Sequence, residues 1–319
     1  MSQWRVTLGG LTLKNPLLVA AGTFGYGLEF AKAVRLDQLG GLIMKTLTRQ
    51  PRNGNPPPRL VETPAGLLNA VGLHNMGLEP FLNQTLPQLR SFKTPVIVSL
   101  LAMSSEELAE MVQLADRAEG IAAFELNLSC PNLKKSGAQE VVPHMMAQDP
   151  DAIAEMVRAA CSQTKKPVIA KLSPDVTDLR PMAQAAEAAG AAALSLGNTF
   201  VGMSINPQTQ RSRLGTLTGG LSGPAIRPLA VYRVWYTAQA VRIPIIGVGG
   251  VVRADDAVEF ILAGATAVAV GTANFADPRA PIRVLRGVQR YCQQRRINSL
   301  ESIRGAINRV PVPVGPAER

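Results

Sequence analysis

Eight short runs of Val, Ile, Leu and Ala alternate along this chain with longer stretches whose apolar residues recur at helical spacing, and no Pro/Ser-rich linker breaks the series. A run that is apolar without alternation is buried on both faces, as a parallel strand covered by helices must be. The runs are Leu17–Ala20, Gly41–Lys45, Val96–Leu100, Ala122–Asn127, Val168–Leu172, Ala192–Leu196, Ile245–Val248 and Ala267–Gly271. Between them, Glu106–Ala118 opens on a Ser104 or Ser105 cap and Asp151–Ser162 follows Asp149-Pro150. Asp178–Ala189 closes at Gly190, and Ala254–Ala263 at Gly264. Eight βα units in series predict a parallel TIM (β/α)8 barrel forming one domain over residues 1–319, with an open sheet of about six strands as the alternative. Aromatics make up 4% of a chain that is 46% hydrophobic, which suits strands packed by aliphatic side chains.

Ahead of the first barrel strand, Arg5–Leu8, Gly9-Gly10 and Leu11–Leu13 predict a hairpin that plugs the barrel floor. Two connections, Thr46 to Met76 and Thr199 to Gly223, are too long to be turns and are expected to form lids over the carboxyl face. No apolar run reaches the roughly 18 residues that span a bilayer, and the N-terminus lacks a signal-peptide pattern, so a cytoplasmic protein is expected. The net charge of +10 is scattered rather than gathered into an aromatic-interleaved stripe, which argues against nucleic acid and fits an anionic ligand. Its densest stretches are Arg49 to Arg59 and Arg283 to Arg304, the second read as a solvated helical face. Cys130, Cys161 and Cys292 are widely spaced, so neither a disulfide framework nor an iron–sulfur cluster can be built within the chain, and no metal site is expected.

Polar residues converge on the carboxyl ends of these strands, where a barrel keeps its chemistry. Lys45 ends the second strand, Asn127 the fourth and Lys171 the fifth, and Asn198-Thr199 follow the sixth. The stretch Glu-Leu-Asn-Leu-Ser-Cys-Pro-Asn at 125–132 puts Cys130 on the loop after the fourth strand, held by Pro131. A cysteine there acts as base or nucleophile, or else packs as a small apolar residue; flanking asparagines favour the first reading. After strands seven and eight come Gly247-Val-Gly-Gly250 and Gly271-Thr272, whose backbone N–H groups suit the phosphate of a cofactor.

With those residues assembled, Asn-Leu-Ser-Cys-Pro-Asn at 127–132, Asn-Ala-Val-Gly-Leu at 69–73, Gly-Gly-Leu-Ser-Gly-Pro-Ala-Ile at 219–226 and Gly-Val-Gly-Gly at 247–250 resemble dihydroorotate dehydrogenase of the soluble, cysteine-dependent type. The form of the 69–73 loop looks like the NAD-linked subclass, class 1B, whose catalytic subunit pairs with an iron–sulfur flavoprotein. The resemblance implies an FMN barrel oxidising (S)-dihydroorotate to orotate in pyrimidine biosynthesis. It implies a homodimer, joined by a subunit carrying FAD and a [2Fe–2S] cluster into a heterotetramer. Carried over, Cys130 takes the C5 proton while hydride leaves C6. Lys45, the loop Asn69, Ala70, Val71, Gly72 and Leu73, with Asn127, Asn198 and Thr199, hold the substrate. Lys171 sits by the flavin N1/O2 edge, where its charge stabilises the reduced ring. Ala21, Lys45, Thr46, Asn127, Gly197 and Gly223 line the flavin, and Gly249, Gly250, Gly271 and Thr272 its phosphate. Ser99 and Ala21 depart from the family, which commonly has asparagine and serine there, and the departures bear on flavin affinity.

A thiol of ordinary acidity, with a pKa of about 8.5, is only fractionally ionised at neutral pH, so activity is expected to rise with pH. His74 and His144 are read as loop residues without a catalytic role, and Cys161 and Cys292 as core residues within helices. Three alternatives stand beside the NAD-linked reading: a fumarate-using dihydroorotate dehydrogenase, a related pyrimidine-reducing flavoenzyme, and, from another class, a flavin-free barrel lyase using Lys45 or Lys171 as a Schiff base or a phosphate-binding module.

Overall fold

A computed structural model of the chain describes residues 4–129 and 148–309; Cys130, Asn132 and His144 lie outside them. The strands, in chain order, begin with a hairpin, β1 (Val6–Leu8) and β2 (Leu11–Leu13), followed by β3 (Leu17–Val19), β4 (Gly41–Ile43), β5 (Leu60–Thr63) and β6 (Gly66–Asn69). Next come β7 (Val96–Leu100), β8 (Ile121–Asn127), β9 (Val168–Leu172) and β10 (Ala193–Leu196). After these, β11 (Phe200–Gly202), β12 (Ile205–Asn206), β13 (Arg211–Ser212) and β14 (Gly219–Ser222) precede β15 (Ile245–Val248) and β16 (Ala267–Val270).

Eight of these, β3, β4, β7, β8, β9, β10, β15 and β16, pair in parallel in chain order, and β16 returns to β3 through Val268 opposite Leu17. The barrel is closed, and the open-sheet alternative falls. Along β8, Phe124 and Leu126 join the outer core under the helices, while Ala123 faces the barrel interior, the alternation of a strand. Leu8 and Leu13 of the hairpin are fully buried in the same inner cluster as Ala123, Ile169 and Ile246, so the hairpin is the floor plug that its sequence predicts.

The helices begin where their caps dictate. Ser104 Oγ accepts from the Glu107 N–H at 3.2 Å and starts the helix Ser105–Asp116. Asp149 caps Pro150–Cys161, and Gly264, at φ 125°, ends Ala254–Ala263. The helix expected from Asp178 begins at Arg180 instead, because Asp178 Oδ1 accepts from the Arg180 N–H at 2.9 Å and stands outside the first turn.

The two long connections expected as lids carry strands of their own. Strands β5 and β6 of the first and β11 and β14 of the second form one antiparallel sheet, in the order β11-β14-β6-β5. Asn69 stands opposite Gly220, and Gly220 opposite Val201. Each hairpin is too short of core to be stable alone, and pairing the two supplies the missing ladder. The sheet has its own small core, Leu68, Ala70 and Leu214.

Candidate active site

At the carboxyl mouth of the barrel a cleft of ≈ 1130 Å³, counted with its opening, is bounded by the strand ends, the added sheet, and the loops after β15 and β16. Lys45 reaches it from two residues beyond β4, not from the strand itself. Its N–H donates to Gly25 O at 3.1 Å, which ties this backbone to the turn after β3 rather than to the barrel ladder. A methyl group at Gly22 would stand 3.6 Å from Lys45 Nζ, so the amine lies over that glycine turn.

The floor of the cleft is a chain of hydrogen bonds across strand ends. Thr46 Oγ1 meets Ser99 Oγ at 3.0 Å and accepts from Asn127 Nδ2 at 3.2 Å. Ser129 Oγ donates to Asn127 Oδ1 at 3.1 Å and accepts from Asn198 Nδ2 at 2.6 Å. Asn198 Oδ1 in turn accepts from the Thr199 N–H at 2.8 Å. Polar groups so buried must be paired, and the pairing fixes their orientation. Lys171 lies beside this chain, opposite Asn127 in the β8–β9 register, with 6% of its surface exposed.

Most of the residues expected at the site line this cleft: Ala21, Lys45, Thr46, Asn69, Val71, Gly72, Leu73, Asn127, Lys171, Gly197, Asn198, Thr199, Gly223, Gly249, Gly250, Gly271 and Thr272. Two do not. Ser99 is fully buried behind Thr46, and Ala70, at 1% exposure, packs into the small core of the added sheet. Cys130 is outside the described residues, although its neighbour Ser129 is pinned at the cleft floor.

Sequence reasoning gave no role to Ser129, although it sits inside the motif, nor to Ser222, whose Oγ accepts from Thr272 Oγ1 at 2.8 Å. Nor did it find Asn75. That side chain donates to Leu73 O at 2.8 Å and to Thr48 Oγ1 at 2.9 Å, and accepts from the Gly77 N–H at 2.8 Å. It thereby holds Leu73 at φ 60°, a left-handed backbone that a leucine adopts only under constraint. The signal was a lone asparagine after Asn-Ala-Val-Gly-Leu, which in sequence looks like any turn residue.

The residues set aside earlier stay aside. His74 is exposed and does not line the cleft. Cys292 is fully buried, Cys161 half-buried with its thiol on Gly190 O at 3.4 Å, and burial pushes both thiols up from their ordinary acidity.

The cleft provides two cations, a row of amide and hydroxyl groups, and glycine turns at one end. Gly249 (φ 135°) and Gly250 (φ 71°) have backbones that L side chains rarely adopt, and a Cβ on them would stand 2.8 Å from Ala230 Cβ and 2.7 Å from Arg227 Cβ. Such a turn exposes backbone N–H groups where an anion can approach closely.

A family model described as dihydroorotate dehydrogenase matches residues 4–291. The "Dihydroorotate dehydrogenase B (NAD(+)), catalytic subunit" of Desulforudis audaxviator is 49% identical over 304 residues, covering 95% of this chain and 97% of that one. Its counterpart in Citrifermentans bemidjiense is 48% identical over 302 residues with the same coverage. A solved structure of DHODH from Eimeria tenella, in complex with ferulenol, shares the fold at a TM-score of 0.80 and 23% identity, over 97% of this chain and 90% of that one. Near-half identity carried from end to end, on a barrel with this mouth, makes the chain a member of the dihydroorotate dehydrogenase family.

Proposed function

We propose that this chain is the FMN-binding catalytic subunit of an NAD-linked dihydroorotate dehydrogenase, oxidising (S)-dihydroorotate to orotate in pyrimidine biosynthesis. The observation that carries the reading is that one cleft joins a glycine turn fit for a phosphate to two lysines and a hydrogen-bonded amide floor fit for a planar, anionic ligand pair. The residues present fit FMN. Gly249, Gly250, Gly271 and Thr272 would hold its phosphate, and Ala21, Thr46, Gly197 and Gly223 its ring, while Lys171 would stand at the N1/O2 edge. Ser99 would act through its bond to Thr46 rather than by contact. Bound flavin supplies the hydride acceptor.

The chain's own residues do the rest. Lys45 offers the charge for the substrate carboxylate, and a charge-assisted bond of that kind contributes about 1.5–3 kcal/mol. Asn69, Asn127, Asn198 and Thr199 orient the ring, so that its C5 proton is presented to Cys130 as base. The Ser129 hydrogen bonds fix the described end of the loop that leads to Cys130. Electrons then leave for a partner subunit carrying FAD and a [2Fe–2S] cluster. We place two copies of this chain at the centre of that heterotetramer, with the basic loop Arg49–Arg59 as a candidate contact.

Anaerobic mixing of the purified chain with dihydroorotate, followed at the visible flavin band, tests this. Bleaching with formation of orotate is expected. A colourless protein, or a yellow one that dihydroorotate does not bleach, would overturn the reading.

A further inference from the structure

Beneath the cleft the barrel interior changes character. Ile97, Ala123, Ile169 and Ala193 belong to an apolar inner cluster. Two residues further along the same strands, and so on the same face, stand Ser99, Glu125, Lys171 and Ser195. Ser99, Glu125 and Ser195 are at 0% exposure and lie below the cleft; Lys171 lines it.

Glu125 is the anomaly. Among the described residues, neither of its oxygens has a hydrogen-bond partner, nor does the hydroxyl of Ser195. Its cationic neighbour is Lys171, with Nζ 3.9 Å from Oε1, an ion pair too long to be a hydrogen bond. A buried carboxylate without hydrogen bonds does not repay its desolvation, so stability gives no reason for a glutamate here. Charge at a distance does. In an interior of low dielectric, a carboxylate 3.9 Å below an ammonium attracts it strongly, yet leaves the ammonium's donors for whatever lies above.

We propose that Glu125 is a positioning residue for Lys171: the buried counter-charge that keeps its ammonium aimed into the cleft and limits the positive field it exerts on the flavin edge. The inference rests on the FMN reading above and extends it to a residue that touches neither flavin nor substrate. Glu125 thereby sets how strongly reduced flavin is favoured over oxidised flavin.

The test is an anaerobic determination of the bound flavin's reduction potential in the holoenzyme and in Glu125→Gln, Lys171→Gln and the double variant. Glu125→Gln is expected to keep its flavin and to favour reduced over oxidised flavin at least tenfold more than the wild type, an upward shift of about 30 mV for the two-electron couple. In the Lys171→Gln background the same change is expected to have no such effect. A wild-type potential in Glu125→Gln, or an equal upward shift without Lys171, overturns the proposal. If Glu125→Gln does not fold, Glu125→Asp decides, because it withdraws the carboxylate by one methylene: an upward shift upholds the proposal, and an unchanged or lowered potential overturns it. A wild-type chain that purifies without flavin overturns the FMN reading and this inference together, and its lack of colour distinguishes that failure from a yellow protein without coupling.

Discussion

Lys45 and Lys171 bring like charges to one cleft from different settings, and their substitutions should read out differently. Lys45, tied by its backbone to the turn after β3, lines the cleft and is the cation proposed for the substrate carboxylate; Lys45→Ala is expected to weaken orotate binding by about 10–150-fold, the equivalent of one charge-assisted hydrogen bond. Titration of orotate against the flavin spectrum measures it, and an unchanged affinity would remove Lys45 from the substrate site. Cys130→Ser should retain flavin and slow its reduction by dihydroorotate by about 10²–10⁴-fold at neutral pH, because a hydroxyl is a far weaker base than a thiol. Stopped-flow bleaching decides it, and near-wild-type rates in the serine variant would discharge Cys130 from the mechanism. Much at this scale was legible in advance: Lys45, Asn127, Lys171 and Asn198 were found because polar residues at the ends of apolar strands are conspicuous. Ser129 and Asn75 were not, since their importance lies in hydrogen bonds to residues distant in sequence or around a turn, which no local pattern displays.

The added sheet is the element that positions two of the proposed substrate contacts, since β6 ends at Asn69 and its partner β14 runs against β11 beside Thr199. Gly220 is where the two excursions touch. A methyl there would stand 2.0 Å from Thr199 Oγ1, and Asn69 Nδ2 donates to Gly220 O at 3.1 Å. Gly220→Ala is therefore expected to cost about 1–3 kcal/mol of stability through overpacking and to weaken orotate binding with it. Thermal unfolding and an orotate titration on one preparation check both effects. Asp175 fastens the same excursion from below, accepting from the Val201 N–H at 3.3 Å. Burial pushes its carboxyl up from the ordinary range, outweighing the Val201 bond and the nearby Arg233. A raised acid favours the folded state when protonated, so its stabilisation is full below the ordinary value of about 3.9 and is lost as pH rises through the raised one. Asp175→Asn keeps an acceptor for Val201 and no charge. Its melting temperature should exceed the wild type's at neutral pH, and the difference should shrink toward pH 4; a pH series of melting curves with a constant or reversed difference would contradict this.

For the whole molecule, the question is where electrons go once they leave the cleft. The glycine turns that suit a phosphate follow β15 and β16 and form no strand-Gly-x-Gly-x-x-Gly-helix unit, and the chain's three cysteines are fewer than the four of an all-cysteine [2Fe–2S] cluster. The purified chain should reduce artificial dyes with dihydroorotate and leave NAD unreduced until the flavoprotein subunit is added. Rapid NADH formation by the chain alone would overturn the partner and the subclass together. Cofactor binding should also register in global stability, since a flavin at about 100 times its Kd adds about 2.7 kcal/mol to a barrel that binds it only when folded. Stripping the flavin should lower the melting temperature, and restoring it should return the original value. Among the described residues no helix is long and apolar enough to cross a membrane.

The sequence by itself determined the barrel, its plug and which strand ends meet at the cleft, because burial on two faces, helix caps and glycine turns are local signals written at short range. Eight apolar runs led to eight parallel strands, three with the same boundaries and the others shifted by a residue or two. Only the tertiary structure decided that the two long connections are one sheet, since the Asn69 to Gly220 bond that joins β6 to β14 spans 151 residues of chain, and the local pairings of β6 with β5 and of β14 with β11 do not reveal it. It also decided that Ser99 stands behind Thr46 and that Glu125 faces Lys171 inside the barrel, because which residues meet across a closed sheet depends on its register and not on any spacing along one strand.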